Sequence, residues 1–285
     1  MDLGRLSADA LASFAVFADH LNFTRAAEAL RISQPALHVK VQKLAETLGR
    51  PLYLRQGRRL VLTPEGEAVA RFARDLDTRV TAFLAEIHGR SAARTPTLAA
   101  GEGAYLYLLG DIVRPGIRLI NGNRAHTLTA VRTRRADLGV AVLDVLPTDV
   151  DAVLLASYPQ TLVMPEDHPL SALPSLTLAD LAGSPLVVPP PTGPHRIALE
   201  RALRAAEIPW SLAVEAEGWP LLLHFVALRI GLAVVNGCVT PPAGLIQREI
   251  TDLPAVPYYA LHLRDRADDP LVTGLLTEIQ ATLST

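Results

Sequence analysis

Apolar residues in the first fifty positions recur at the spacing of amphipathic helices. Residues 9–20 carry them three and four apart on one face, which predicts a first helix. Thr24 is the predicted N-cap of a second helix, and Ser33 and Gly49 are the predicted caps of a third. The expected inward residues are Leu11, Phe14, Ala15, Phe17 and Ala18 of the first helix and Ala36, Leu37, Val41, Leu44 and Leu48 of the third. A tight turn between the last two helices is typical of a helix-turn-helix, whose later helix enters the major groove of DNA.

Residues 51–62 change to a strand pattern, in which two short apolar runs flank a Gln-Gly pair. This pattern predicts a β-hairpin wing. The residues expected to face inwards are Leu52, Leu54, Leu60 and Leu62. Arginines at the tip can grip phosphates or enter a minor groove, which positions a protein on DNA more than it specifies sequence.

A long helix is predicted over residues 64–90. Thr63 can cap it and Pro64 suits its first position. Its apolar residues share one face, which either packs on its own domain or pairs with a second copy of the chain. A helix this long, projecting from a small domain, favours the second interpretation. The expected dimerisation residues are Phe72, Leu76, Val80, Phe83 and Ile87.

Short apolar runs alternate with helical stretches after residue 97, and this alternation predicts an α/β fold with largely parallel sheets. Ligands of such folds bind past the carboxyl ends of the strands. The predicted strands are 98–100, 117–120, 138–143, 161–164, 185–188, 212–214, 231–235 and 258–263.

Charge is segregated along the chain. Residues 24–59 hold eight Lys/Arg and two acidic residues, a net of +6, whereas all 285 residues carry −2. A charged helix face is ordinarily only a solvated face, but a basic island on a mildly acidic chain is what phosphate contact requires. Gln can read adenine and Lys can reach guanine. The predicted DNA-binding residues are Thr24, Arg25, Ser33, Gln34, Pro35, Ala36, His38, Lys40, Lys43, Arg55, Arg58 and Arg59.

The stretch FTRAAEALRISQPALHVKVQKLAETLG…LYLR…RRLVLTPEGE closely resembles the N-terminal domain of the bacterial LysR-type transcriptional regulators. The motifs cover about residues 8–90, and the size and order of the rest also fit. The resemblance implies a multidomain protein with a winged helix-turn-helix, all-α apart from its wing. A linker helix then leads to an α/β effector domain like a periplasmic binding protein, with two Rossmann-like subdomains. The implied bounds are 1–63 for DNA binding, 64–90 for the linker and dimerisation helix, 91–97 for the hinge and 98–285 for the effector domain, in which subdomain I takes 98–160 and 264–285 and subdomain II takes 161–263.

The resemblance also implies the partners of the chain. They are a pseudo-palindromic promoter site on double-stranded DNA, a small-molecule effector, and further copies of itself in a homodimer or homotetramer. Gln34 and Pro35 match the base-contacting start of the family's recognition helix. The chain departs at His38 and Val39, where a Ser followed by an Arg is usual, so a different half-site is expected. Positions that commonly touch DNA in the family are matched by Thr24, Ser33, Lys40 and Arg55.

Loops after the strands match the loops that line the effector cleft in the family. Gly-rich loops and helix N-termini offer amides to a carboxylate, which is how the family tends to hold small acids, although each loop also fits an ordinary turn. The predicted effector-binding residues are Glu102, Gly103, Ala104, Asn123, Arg124, Thr192, Gly193, His195, Glu217, Trp219, Asn236 and Gly237.

Two features of this domain depart from the family. Glu102 replaces a small hydroxyl residue, and its charge disfavours an anionic ligand group and favours an amine or a hydroxyl. Arg124 and His195 can still hold an anion elsewhere, so a ligand with both charges, aromatic beside Trp219 and Tyr105, is one hypothesis. The segment 104–116 is shorter than usual and broken by Gly and Pro. The family's long helix there often forms part of the dimer surface, so dimer and tetramer both stay open.

Composition excludes several classes of protein. A single cysteine rules out a disulfide framework and leaves Cys238 as a buried thiol or a redox switch limited to sulfenic acid and mixed disulfides. The scattered histidines show no metal-ligand spacing, and no GxSxG motif or phosphate loop is present, so we expect no metal, no cofactor and no enzyme. No apolar run approaches 20 residues and no leader is evident, which predicts a cytoplasmic protein without membrane association.

Three functions remain open from the sequence. The leading hypothesis is a transcriptional regulator whose DNA binding responds to an effector held between its two C-terminal subdomains. The second is a small-molecule-binding protein or enzyme that keeps its DNA module as a remnant. The third is a DNA-binding protein that needs no effector because the shortened 104–116 segment has collapsed its cleft.

Overall fold

Three short helices form the N-terminal core in the computed structural model, which describes residues 6–57, 59–87 and 94–283. Their bounds are Ala8–His20 (α1), Phe23–Leu30 (α2) and Gln34–Leu48 (α3). Phe14 and Phe17 of α1 are fully buried against Leu37 and Val41 of α3. The predicted inward orientation of Ala36 and Leu48 is wrong, because both are exposed, in the first and the last turn of α3. The apolar spacing therefore predicts the centre of this core but not its two ends.

The helix caps differ from the sequence prediction at one position. Ser33 caps α3, since its hydroxyl accepts from the amide of Ala36 at 3.3 Å, and Gly49 ends the helix with φ of 65°. The predicted cap Thr24 is wrong. Asn22 caps α2 instead, because the helix begins at Phe23 and the Asn22 side chain accepts from the amide of Arg25 at 3.2 Å.

The wing is a two-stranded antiparallel hairpin of Tyr53–Gln56 (β1) and Arg59–Leu62 (β2). Leu52 is buried in the helical core, but Leu54 is 51% exposed, so its predicted inward orientation is wrong. Leu52 lies before β1 and therefore does not set the alternation of the strand. Tyr53 takes the inward place and its ring lies 5.1 Å from that of Phe17.

The predicted linker helix spans Pro64–Ile87 (α4) in the structure. Thr63 caps it by accepting from the amide of Gly66 at 3.0 Å, and Ala70 and Ala73 are buried in the N-terminal core. Leu76 is partly buried against the same core, so its predicted place on a free dimerisation face is wrong. Residues 88–90 of the predicted helix and 91–93 of the predicted hinge lie outside the described residues. No helix within the described residues is both long enough and apolar enough to cross a membrane.

Subdomain I is built on a five-stranded mixed sheet in the order β4-β3-β5-β12-β6. The strands β3, β4 and β5 are parallel, whereas β12 runs antiparallel to both β5 and β6. The strands are Thr97–Ala100 (β3), Arg118–Asn121 (β4), Leu138–Val142 (β5), Asp151–Tyr158 (β6) and Val256–His262 (β12). The helices are Glu102–Tyr107 (α5), Arg124–Arg132 (α6) and Pro270–Leu283 (α9).

Subdomain II carries two smaller groups of strands. β7 pairs antiparallel with β10 and β11, and the parallel pair β8-β9 joins them through a bridge between Leu186 and Leu232. The strands are Gln160–Pro165 (β7), Pro185–Val188 (β8), Ser211–Glu215 (β9), Ala233–Asn236 (β10) and Leu245–Glu249 (β11). The helices are Pro194–Ala205 (α7) and Trp219–Ala227 (α8).

Three expectations for the effector domain change with this topology. The sheets are mixed rather than largely parallel, since β7 and β12 each pair antiparallel with two neighbours. Two strands, β6 and β11, were not predicted. The predicted end of subdomain II at residue 263 is wrong, because β12 lies between β5 and β6 in the sheet of subdomain I.

Candidate functional site

The exposed start of α3 carries the residues predicted to read bases. Gln34, Pro35 and Ala36 are exposed in its first turn, which the Ser33 cap orients. The hydroxyl of Thr24 on α2 donates to Oε1 of Gln34 at 3.1 Å. The two helices of the motif are thus joined through the side chain suited to reading adenine.

Basic side chains surround this surface in different states. Lys43 on α3, Arg25 on α2 and Arg59 on the wing are exposed. Lys40 is half-buried, and its Nζ lies 2.7 Å from a carboxylate oxygen of Asp9 on α1. The ring of His38 lies 5.0 Å from that of Phe23. Nε of Arg55 donates to the carbonyl of Gly57 at 3.1 Å. Arg58, the last predicted position, lies outside the described residues.

A cavity of about 340 Å³ lies between the two subdomains. One wall comes from α5, α6 and β5 of subdomain I, and the other from the starts of α7 and α8 and the end of β10 in subdomain II. The segment 254–258, where the chain returns to subdomain I, and Gln160, where it leaves, complete the lining. The cavity therefore sits at the crossing between subdomains, where a ligand would touch both.

Six of the twelve predicted effector-binding residues line this cavity, and six do not. Those that line it are Gly103, Ala104, Arg124, His195, Trp219 and Asn236. Those outside its lining are Glu102, Asn123, Thr192, Gly193, Glu217 and Gly237. Asn123 caps α6 by accepting from the amide of His126 at 3.0 Å, so its side chain has a structural role. Tyr105 also lies outside the lining, because its hydroxyl is held 2.8 Å from the carbonyl of Leu98.

Two basic side chains belong to the described lining, and each has a partner. Nη1 of Arg124 lies 2.8 Å from Asp144, which lines the same cavity. Nε2 of His195 lies 2.8 Å from the carbonyl oxygen of Val234, to which it donates. Desolvation lowers the pKa of His195, so the ring is neutral near pH 7. Neither residue presents an uncompensated positive charge to the cavity.

Glycines let the two subdomains meet at one edge of the cavity, where the lining residues Gly103 and Trp219 approach each other. We call this edge the mouth. A Cβ atom on Gly103 would lie 2.8 Å from Cδ1 of Trp219, so α5 approaches the indole through bare backbone. A Cβ atom on Gly218 would lie 3.3 Å from Oε2 of Glu102. Glu102 of subdomain I thus faces the N-terminal end of α8 in subdomain II. Gly218 has φ of 85°, which further favours glycine there.

The part of the cavity lined by Asn236 and Tyr258, which we call its floor, is polar. Nδ2 of the buried Asn236 donates to Oη of Tyr258 at 2.7 Å, and the thiol of Cys238 lies 3.6 Å from the same oxygen. Oδ1 of Asn236 is buried without a hydrogen-bond partner among the described residues. Burial raises the pKa of the Cys238 thiol above its ordinary value, which disfavours the reactive thiolate. The described residues form no cluster of His, Cys, Asp and Glu suited to a metal ion.

A charged junction joins the DNA-binding half to subdomain I. Nη1 of Arg134, in the turn after α6, lies 2.7 Å from Asp75 on α4, and Nε of Arg135 lies 2.9 Å from Asp19 on α1. Arg74 of α4 also pairs with Asp19, at 2.5 Å. A cavity of about 480 Å³ beside these pairs is lined mostly by Arg and Asp side chains. Because α6 begins at the cavity between the subdomains and ends here, one short helix connects the two places.

Sequence reasoning missed part of the cavity for identifiable reasons. Pro254 and Ala255 precede an antiparallel strand and Val256 begins it, whereas the crevice rule directs attention to the loops that follow parallel strands. Val140 and Ala141 lie inside β5, where an apolar run predicts core equally well. Asp144 lies two residues past the end of β5, and the carboxyl end of that strand was a signal for it.

Family comparisons match both halves of the chain. The LysR substrate binding domain matches residues 114–284, and the bacterial regulatory helix-turn-helix protein of the lysR family matches residues 8–67. The RuBisCO operon transcriptional regulator of Acidithiobacillus ferrooxidans is 29% identical over 232 residues, which cover 78% of this chain and 75% of that protein. The transcriptional activator CmpR of Synechocystis is 24% identical over 232 residues, covering 78% of this chain and 76% of that protein.

Solved structures of full-length proteins share the fold. A full-length point variant of OxyR from Pseudomonas aeruginosa superposes with a TM-score of 0.66 at 22% identity, over 95% of this chain and 94% of that one. Full-length CbnR complexed with its target DNA gives a TM-score of 0.54 at 18% identity, over 98% of this chain and all (100%) of that one. At these identities the likeness concerns the arrangement of domains and elements.

Proposed function

The chain belongs to the LysR family of bacterial transcriptional regulators, and we propose that it reads its promoter with the first turn of α3 and senses its effector in the 340 Å³ cavity. The chain is a DNA-binding regulator with an effector-binding domain. The observation that carries the proposed site is the capped, exposed start of α3, where Gln34 is held by Thr24. A remnant module would have no need to keep this side chain positioned.

Two copies of the chain would bind one site. The exposed fractions of Phe72, Val80, Phe83 and Ile87 on α4 are between 47% and 62%, which is unusual for large apolar side chains unless something covers them. A second α4 supplies the cover and relates two α3 helices by a two-fold axis. Their half-sites would then lie about 34 Å apart, or a multiple of that. This arrangement accounts for a pseudo-palindromic promoter site.

The effector would act by changing how the two subdomains sit on each other. The cavity is lined from both sides, so a ligand that contacts both walls binds one relative placement better than another. The open 340 Å³ volume favours this mechanism over a collapsed, effector-independent cleft. The named relatives are regulators, and we propose regulation rather than catalysis, in the cytoplasm where the promoter is.

A mobility-shift titration with the DNA upstream of the protein's own gene tests this function. The native chain is expected to bind it in the presence of competitor DNA, with affinity that falls steeply as salt rises. Gln34→Ala should reduce discrimination between this DNA and random DNA by about tenfold. Gln42→Ala is the matched control on the same helix, since its amide already donates to Glu46 at 3.0 Å. Equal binding of promoter and random DNA by the native chain would contradict the proposal.

A further inference from the structure

The walls of the ligand cavity are apolar and partly aromatic. Val140, Val142 and Pro194 line it together with the rings of Trp219 and Tyr258. Trp219 is fixed in place, because its ring meets that of His195 edge to face at 4.9 Å and 88°. A volume of about 340 Å³ is at the low end for small-molecule sites, so the ligand has a compact apolar body.

The charges around the cavity do not favour an anion. Arg124 is neutralised by Asp144, and His195 is a neutral donor already used by Val234. Glu102 lies outside the lining but between the lining residues Gly101 and Gly103, and its carboxylate faces Gly218, next to the lining residue Trp219. Both basic residues of the described lining already have partners, so neither is left to compensate this carboxylate. A ligand carboxylate would therefore meet repulsion at the mouth and lose its hydration without a free cation in return.

The floor offers an acceptor. Among the described lining residues, Asn236 has the one buried polar side-chain atom without a partner, its Oδ1. Asn236 is 6% exposed, and its amide nitrogen is anchored on Tyr258, so the orientation of this oxygen is set by the protein. A buried acceptor left unpaired destabilises the structure, because it has lost its hydrogen bonds to water. A ligand that donates an N–H to it removes that destabilisation.

We propose that the effector is a small primary amine with a compact apolar body, and that Glu102 and Asn236 select it against the corresponding carboxylate. The inference rests on the proposed function, since it assigns the ligand class of the proposed effector cavity. An ammonium group supplies three donors and a positive charge. It satisfies the floor acceptor or the mouth carboxylate, whereas a carboxylate of the same size satisfies neither.

The test uses a matched pair of probes, 2-phenylethylamine and phenylacetate, titrated into the purified full-length chain by isothermal calorimetry. We expect the amine to bind at least about tenfold more tightly than the acid. Glu102→Gln should weaken binding of the amine by about fivefold, which corresponds to a partly exposed ion pair. The affinity for the acid should stay equal or rise slightly. Glu166→Gln removes an exposed carboxylate that does not line the cavity and should change neither affinity.

Location is tested by fluorescence. In a Trp210→Phe background, Trp219 is the remaining tryptophan of the chain, and the amine should change its emission with the same midpoint as the calorimetry. Asn236→Ala should weaken the amine severalfold and leave the melting temperature near that of the native chain. Equal or tighter binding of phenylacetate by the native chain, or no binding of the amine, overturns the inference. Promoter binding measured on the same preparation shows separately whether the regulatory function stands.

Discussion

Arg134, in the turn after α6, pairs with Asp75 on the linker helix through Nη1 at 2.7 Å, and its Nη2 lies 2.5 Å from Asp265. The guanidinium therefore links the effector domain to the helix that carries the DNA-binding domain. The other end of α6 contributes Arg124 to the ligand cavity. A ligand that shifted α6 would move Arg134 relative to Asp75. The junction is thus a short structural connection between the cavity and the helix that carries the DNA-binding domain.

Removing this pair should loosen the junction. Arg134→Ala leaves Asp75, which is two-thirds buried, without its partner, and we expect the melting midpoint to fall by about 2–4 °C. Differential scanning calorimetry measures it. Arg114→Ala is the control, because Arg114 pairs with Glu278 at an exposed site and should shift the midpoint by less than about 1 °C. Equal shifts for both variants would contradict a structural role for the junction.

Gly66 and Gly274 should respond to alanine with opposite signs. A Cβ atom on Gly66 would lie 1.9 Å from the carbonyl oxygen of Leu52, so Gly66→Ala forces the start of α4 away from the core. We expect a loss of about 1–3 kcal/mol in the free energy of unfolding, and weaker DNA binding. Gly274 lies within α9 with open space around it, so Gly274→Ala should stabilise by up to about 1 kcal/mol. Urea denaturation followed by circular dichroism measures both, and a stable Gly66→Ala variant would show that the contact relaxes.

How far the sequence predicts this molecule depends on the range of the interaction involved. Ser33 and Thr63 accept from nearby amides and Gly49 donates its own amide to the carbonyl of Glu46, so their capping roles follow from local spacing. The position of β12 between β5 and β6 depends on pairing across about a hundred residues, which no local pattern encodes. Arg134 and Asp75 likewise stand 59 positions apart. Their meeting is set by how two folded domains dock.

The same difference between local and long-range interactions applies to the cavity. Gly103 and Trp219 were predicted from loops after strands, and the structure brings them into contact across the cleft. The pairing of Arg124 with Asp144 was not predicted, although it removes the positive charge on which an anion site depends. Local sequence indicated the lining, but the electrostatics came from side chains that meet only in the fold.

Acid should destabilise the effector domain through His195. The folded-state pKa is lowered below its ordinary value of 6.5, so the unfolded chain binds a proton more readily. Stability contributed by the neutral ring is therefore full above about pH 6.5 and is lost as pH falls below it. His195→Gln should lose less melting temperature between pH 7.5 and about pH 5 than the native chain does. Burial also lowers the pKa of His126, so His126→Gln shows how much of the loss in melting temperature comes from that residue.

Lys43 should contribute to affinity for DNA without contributing to sequence choice. It is exposed on α3 beyond the base-reading turn, where an ammonium group suits a phosphate. Lys43→Ala should weaken binding to promoter DNA and to random DNA by the same factor. It should also reduce the slope of log affinity against log salt by about 1. Arg229→Ala, on subdomain II and paired with Asp167, should leave the slope unchanged. A selective loss of promoter binding would instead assign Lys43 to base reading.

Self-association should depend on the exposed face of α4. Phe83 is 59% exposed there, and Phe83→Glu would place a charge in the apolar contact between two linker helices. We expect the dissociation constant of the dimer to rise by at least about tenfold, seen by light scattering across a dilution series. Val145→Glu is the matched control, because Val145 is 81% exposed in a loop of subdomain I. If Phe83→Glu associates like the native chain, α4 is not the interface, and the two-fold arrangement proposed for the promoter site loses its basis.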